Sequence, residues 1–129
     1  MAYAKFAKLV DKKVVEFVSE RDFIDYLNAG NEFNKKIARD EIEFGSETYI
    51  VSTVFLGTNH GIQGVNDTDL WFETMVFKAD ENKVVNYSHL YCKRALTYDE
   101  AEQNHANVVK IMIEMIKRGK VDERNLVDQ

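Results

Sequence analysis

The sequence lacks several features that mark large classes of proteins. Its single cysteine, Cys92, cannot form a disulfide within the chain, so we expect it to pack as a small hydrophobe in a reducing compartment. The chain has neither a signal-peptide pattern nor a run of about 18 apolar residues, which predicts a cytoplasmic protein without a membrane segment. A formal net charge of −5 and the lack of a basic run argue against nucleic-acid binding.

Complete catalytic motifs are missing as well. The sequence contains no HExxH, no CxxC, no phosphate-binding Gly-Lys-Ser loop and no nucleophile elbow. The glycines of its central part do not form a GxGxxG pattern. The sequence therefore favours a binding module over an enzyme, and it predicts no cofactor.

What is present suits one folded domain. A chain of 129 residues with 45% hydrophobic and 12% aromatic residues can build a single core without disulfides. We therefore expect one domain over residues 1–129, with a polar and loosely held tail from about residue 121 to residue 129.

The segment 48–77 reads as two buried strands joined by a long loop. Residues 48–56 are rich in β-branched and aromatic side chains, and residues 71–77 alternate in the way that a strand does. The connection 57–70 is polar and much longer than a hairpin loop of roughly 2–5 residues. Loops of this kind at a sheet end often bind ligands.

The remaining segments predict further strands and two helices. Strand patterns occupy residues 3–18 as a hairpin, and also residues 41–44 and 84–95. A helix capped by Ser19 is predicted to carry its apolar spacing on to Ile37, with a break near Gly30. A Thr97–Glu100 capping box opens the clearest helix. Together these elements predict an α+β fold, in which an antiparallel sheet packs against one or two helices.

Three side chains are predicted to converge at one site. Glu73 shares a strand face with Trp71, Met75 and Phe77, so a buried carboxylate there needs a partner. His105 lies on the apolar stripe of the clearest helix and also needs one. His60 follows the end of a strand, where it can complete the cluster.

The cluster allows several interpretations. His60, Glu73 and His105, with Asn59 and Trp71 beside them, can form a ligand-binding pocket. Two histidines and a carboxylate can instead bind the metal ion of a hydrolase. A third possibility is a buried Glu73–His105 pair that only joins helix to sheet. Glu73 and His105 also have simpler interpretations that involve no site. Glu73 can be an edge residue that reaches solvent, and His105 can be a core residue whose hydrogen bonds are satisfied.

The segments STVFLGTNH, WFETMVF and LTYDEAEQNHANVV resemble a small family of phage and prophage proteins with the pattern STVxLGxxH, FETMVF and YxTxxEAxxxH. The resemblance covers roughly residues 22–112, although the loop before Trp71 and the segment between Phe77 and Thr97 are longer here. It implies an accessory phage-type protein in the host cytoplasm that binds a small molecule or a host protein, with counter-defence as one candidate role. A virion or assembly component is the alternative. The family pattern also draws attention to His60, Glu73 and His105.

Aromatic content predicts self-association. The aromatic side chains of residues 71–77, together with Tyr87 and Tyr91, exceed what one small core can cover. Large apolar surface on a small domain usually marks an interface, so we expect a homo-oligomer.

Overall fold

The computed structural model describes residues 4–32, 34–60 and 70–127. Those ranges contain seven strands and three helices. In chain order they are β1 (Ala4–Val10), β2 (Lys13–Glu16), α1 (Glu20–Asn28), β3 (Lys35–Phe44), β4 (Glu47–Phe55), β5 (Thr58–His60), β6 (Phe72–Ala79), β7 (Val85–Ala95), α2 (Tyr98–Lys117) and α3 (Glu123–Val127).

The predicted α+β fold is confirmed. Four antiparallel strands form the main sheet in the order β3-β4-β6-β7. The two strands predicted on either side of the long loop, β4 and β6, lie side by side at its centre. Alternation directs Val51, Thr53 and Phe55 of β4 to the buried face, opposite Val76, Thr74 and Phe72 of β6.

A smaller sheet continues from the end of β4. Strand β5 follows β4 after two residues and joins β1 and β2 in a three-stranded sheet of order β2-β1-β5. The amide of Ala7 donates to the carbonyl of Gly57 at 3.0 Å, which fastens β1 beside this turn. Residues 47–60 therefore contribute a strand to each sheet, β4 to the main sheet and β5 to the smaller one.

Helix α2 covers one face of the main sheet. The Thr97 hydroxyl accepts from the amide of Glu100, which confirms the predicted cap, and Gly119 with φ +82° follows the last turn. The helix contacts all four strands of the main sheet. Within the described ranges, no helix is long and apolar enough to cross a membrane.

Strand β3 corrects the sequence prediction for the first helix at Ile37, whereas the strand predicted over residues 41–44 is confirmed as the second part of β3. Ser19 caps α1 as expected, but the helix ends at Asn28, before Gly30 with φ +93°. Ile37 lies in β3, which pairs with β4 along its length. The apolar residues of this segment fit a helical spacing in sequence, but pairing with the central strand decides its conformation.

Most of the aromatic side chains that were expected to form an exposed surface are buried within the chain. Trp71, Phe72 and Tyr91 are buried within the chain, and Phe77 is half-buried with its ring 5.7 Å from that of Tyr87. Tyr87 itself is 77% exposed. The exposed aromatic surface is therefore smaller than expected, and self-association stays a prediction.

Residues 123–127 form helix α3, whereas the sequence predicted a loosely held tail from about residue 121. Leu126 of α3 is fully buried in the core under the main sheet. Glu123 accepts hydrogen bonds from Lys78 Nζ at 3.0 Å and from the Tyr49 hydroxyl at 3.4 Å. The hydrogen bonds from Lys78 to Glu123 and Glu47 raise the pKa of the Lys78 ammonium.

Shortening Leu126 tests how firmly α3 is held. We expect Leu126→Ala to lower the free energy of unfolding by about 2–5 kcal/mol, because a fully buried leucine leaves a cavity. Leu96→Ala, at a leucine that is 41% exposed, is the matched control and should cost clearly less. Chemical denaturation measures both, and equal losses would show that α3 does not pack in solution.

Candidate ligand-binding site

Four polar side chains form a chain of hydrogen bonds from the centre of the main sheet to its β3 edge. The hydroxyls of Thr53 and Thr74 are 2.7 Å apart. Thr53 Oγ1 lies 2.8 Å from His105 Nδ1, and His105 Nε2 lies 2.7 Å from Asp40 Oδ2. Strands β3, β4 and β6 and helix α2 each contribute one of these groups.

One arrangement of hydrogen atoms gives every hydrogen bond in this series both a donor and an acceptor. With the ring hydrogen on Nε2, His105 donates to the Asp40 carboxylate and accepts at Nδ1 from the Thr53 hydroxyl. The Thr74 hydroxyl then donates to Thr53. In the described part of the protein, no buried side-chain nitrogen or oxygen lacks a hydrogen-bond partner.

This polar chain separates two apolar clusters. On one side the core is built around Val51, Val76 and Val108. On the other side it is built around Phe55, Phe72 and Ala101. In β4, β6 and α2 the polar residue lies between one member of each cluster, so Thr53, Thr74 and His105 form a polar layer across the core.

Asp40 is the solvent-exposed end of this series of hydrogen bonds. Its side chain is 54% exposed, whereas that of His105 is only 8% exposed. Beside it lies an open groove of about 550 Å³ along the flank of α2. The groove is lined by Asp40, His105, Ala106, Val109, Lys110, Ile113, Glu114 and Lys117.

The groove combines apolar and charged groups. Val109 and Ile113 give it an apolar wall, while Lys110, Lys117 and Glu114 place charges along it. Pockets for small molecules are usually about 300–1,000 Å³, mostly apolar, with a few placed polar groups. The arrangement can therefore hold a small molecule with a polar end near Asp40.

Glu73 does not join His105, which corrects the predicted cluster. Thr74 faces α2, so its neighbour Glu73 points to the opposite face of the sheet. There Arg94 Nε donates to Glu73 Oε2 at 3.1 Å. The predicted buried Glu73–His105 pair is wrong, and one metal ion cannot bind His60, Glu73 and His105 together.

The other predicted site residues lie around the long loop. The backbone of Asn59 and His60 belongs to β5 and pairs with β1, but their side chains lie outside the described part of the structure. Residues 61–69 of the loop also lie outside it. Trp71 is buried in the second apolar cluster, with its ring 6.3 Å from that of Phe55.

Sequence reasoning missed Asp40, Thr53 and Thr74. Asp40 lies between the predicted helical spacing, which ends at Ile37, and the predicted strand 41–44, and its pairing with a histidine 65 positions away has no local signal. Thr53 and Thr74 have a usable signal, since each is a polar residue on the apolar face of a predicted strand. Among the residues that the structure covers, no group of three histidine, cysteine or acidic side chains is placed to hold a metal ion.

Comparisons of the chain with protein-family models, with curated proteins and with solved structures each found no match.

Removing the Thr53 hydroxyl tests the polar layer. Thr53→Val keeps the shape but leaves His105 Nδ1 and the Thr74 hydroxyl without this partner, so we expect a loss of about 1–3 kcal/mol in unfolding free energy. Thr58→Val on β5, where the threonine is half-buried, is the control. A Thr53→Val protein as stable as its parent would contradict the role of this layer.

Cys92 lies on the face that Glu73 occupies, and it is exposed rather than packed as expected. Its sulfur is 3.7 Å from Glu73 Oε2. Partial burial of the thiol and the nearby Glu73 charge raise the pKa of Cys92 above its ordinary value of 9.0. The residue as a whole is thus exposed, but its partly buried thiol is mainly protonated at neutral pH, which makes it a poor nucleophile.

Neutralising Glu73 should make Cys92 more reactive. In Glu73→Gln the negative charge that disfavours the thiolate is lost, so the pKa of Cys92 should fall and the alkylation rate should rise at lower pH. Iodoacetamide labelling followed by mass spectrometry across the neutral-to-alkaline range measures the midpoint. Glu41→Gln, on the distant strand β3, should leave the midpoint unchanged, and an unchanged midpoint in Glu73→Gln would refute the coupling.

Proposed function

We propose that this protein is a binding module that takes a small molecule in the groove between α2 and the β3 edge. The observation that carries the proposal is the Asp40 carboxylate, which is exposed to the groove and held in place from behind by His105. A polar group that is fixed before binding loses little conformational freedom when a ligand arrives. His105 then acts mainly as a positioning residue for Asp40, with 8% of its side chain exposed at the groove.

The lining suggests the chemistry of the ligand. An apolar body fits against Val109 and Ile113, and a hydrogen-bond donor on the ligand can reach Asp40. An anionic group can bind Lys110 or Lys117 at the rim. The candidate ligand is therefore a largely apolar molecule with a donor group and a negative charge.

The resemblance to phage proteins supports a setting in the cytoplasm of an infected bacterium. Thr53, Thr74 and His105 come from the three segments that carry this resemblance, so the polar layer behind the groove uses the family-like positions. Binding a host molecule, with counter-defence as one outcome, is the role we propose there. Ligand binding by the loop 57–70, which would form a second contact region, stays a prediction.

A fluorescent probe of matching chemistry tests the groove. Anilinonaphthalene sulfonate has an apolar body, one N–H donor and one negative charge. We expect it to bind the native protein and to lose most of its binding in Ile113→Glu, because the new carboxylate repels the probe and replaces apolar wall.

Ile24→Glu is the matched control for this experiment. Ile24 is 45% exposed on α1, compared with 40% for Ile113, but it is not a groove residue. Fluorescence titration of the native protein and both variants gives the three affinities. Equal binding by Ile113→Glu and Ile24→Glu would contradict a site in the groove.

A further inference from the structure

Strand β3 carries two blocks of opposite charge. Its first half contains the basic residues Lys35, Lys36 and Arg39, and its second half contains the acidic residues Asp40, Glu41 and Glu43; all six are exposed. In the described part of the main sheet, β3 is an end strand, paired with β4 on one side. Its outer edge therefore presents backbone hydrogen-bonding groups and a patterned charge to another strand.

We infer that a second copy of the chain adds to this edge, with its β3 antiparallel to the first. Reversal of the strand direction brings the basic block of each copy alongside the acidic block of the other. Opposite charges across neighbouring strands are favourable and like charges are unfavourable. A parallel copy would instead place like blocks together, so the charge pattern favours the antiparallel dimer.

The other end strand offers no such match. The charged residues of β7 are Lys93 and Arg94, both positive. In an antiparallel pair of β7 strands these two positive charges would find no acidic residue on the partner strand. Because β7 has no acidic block, the charges select β3 as the surface for a second copy.

The symmetry of the dimer places the two grooves together. A twofold axis perpendicular to the sheet keeps both α2 helices on the same face of one eight-stranded sheet. The flanks that carry Val109 and Ile113 then face each other across the axis. The partner copy then supplies the outer wall that each open groove lacks. The value of this wall for ligand binding rests on the proposed function.

One unfavourable contact accompanies this arrangement. The Asp40 carboxylates of the two copies approach each other near the axis, although each already accepts a hydrogen bond from His105. Favourable contacts on the opposite face of the strand counter this repulsion. There Arg39 binds Glu41 within its own chain at 3.1 Å, and the antiparallel partner brings a second arginine and a second glutamate to that face.

A charge-swap experiment tests the dimer. Size-exclusion chromatography with light scattering at micromolar concentration should give twice the 15.0 kDa mass of one chain for the native protein. The variants Lys36→Glu/Arg39→Glu and Glu41→Lys/Glu43→Lys should each be monomeric, because each makes both blocks of the strand alike in charge. An equal mixture of the two variants should return to the dimer mass, and Lys93→Glu on β7 should remain dimeric.

The results distinguish a second copy on β3 from other occupants. A native protein that is monomeric, including one that co-purifies with a different protein, overturns the proposal. Charge-block variants that stay dimeric overturn it as well, because the interface would then lie elsewhere. Circular dichroism confirms that each variant is folded. No ligand enters the mass measurement, so its outcome is independent of whether the groove binds one.

Discussion

The contact between His105 and the threonine pair fixes how α2 lies on the main sheet. Thr53 and Thr74 are almost fully buried, and so is the histidine ring. Such groups are costly to bury unless each finds a partner, and a shift of α2 by one turn would separate the ring from Thr53. Apolar side chains alone tolerate sliding better, because dispersion contacts are not directional. The polar layer therefore determines which side of α2 lies over β3, and this sets the position of the groove between them.

The same layer explains why the core has two parts. The valine and methionine cluster under the middle of α2 also receives Leu126 from α3. The aromatic cluster joins the start of α2 to the small sheet through Ala7. The first cluster thus holds α3 against the main sheet, and the second holds the small sheet. The contacts among Thr53, Thr74 and His105 fix the position of α2 over both clusters.

The sequence predicts most of the fold because its local signals agree with the tertiary structure. Alternation in the strand around Glu73 and the capping residues Ser19 and Thr97 each identify an element correctly. The predictions for Ile37 and Leu126 are wrong because the conformation of both residues depends on distant partners. The site was harder still. Alternation already places Glu73 and Thr74 on opposite faces, but only the position of α2 shows which face His105 meets.

The long loop is closed at its base by the folded core. The amide of Leu56 donates to the carbonyl of Trp71 at 2.7 Å, and Gly57 is held by Ala7 and by the side chain of Asn34. Because Leu56 and Trp71 are joined in this way, a longer connection between β4 and β6 adds to the free energy of their pairing only the entropy of closing a larger ring. That entropy grows slowly, by about 0.6 kcal/mol for each doubling of length. A change of length between the end of β5 at His60 and the start of β6 at Phe72 is therefore inexpensive for the pairing of the two central strands.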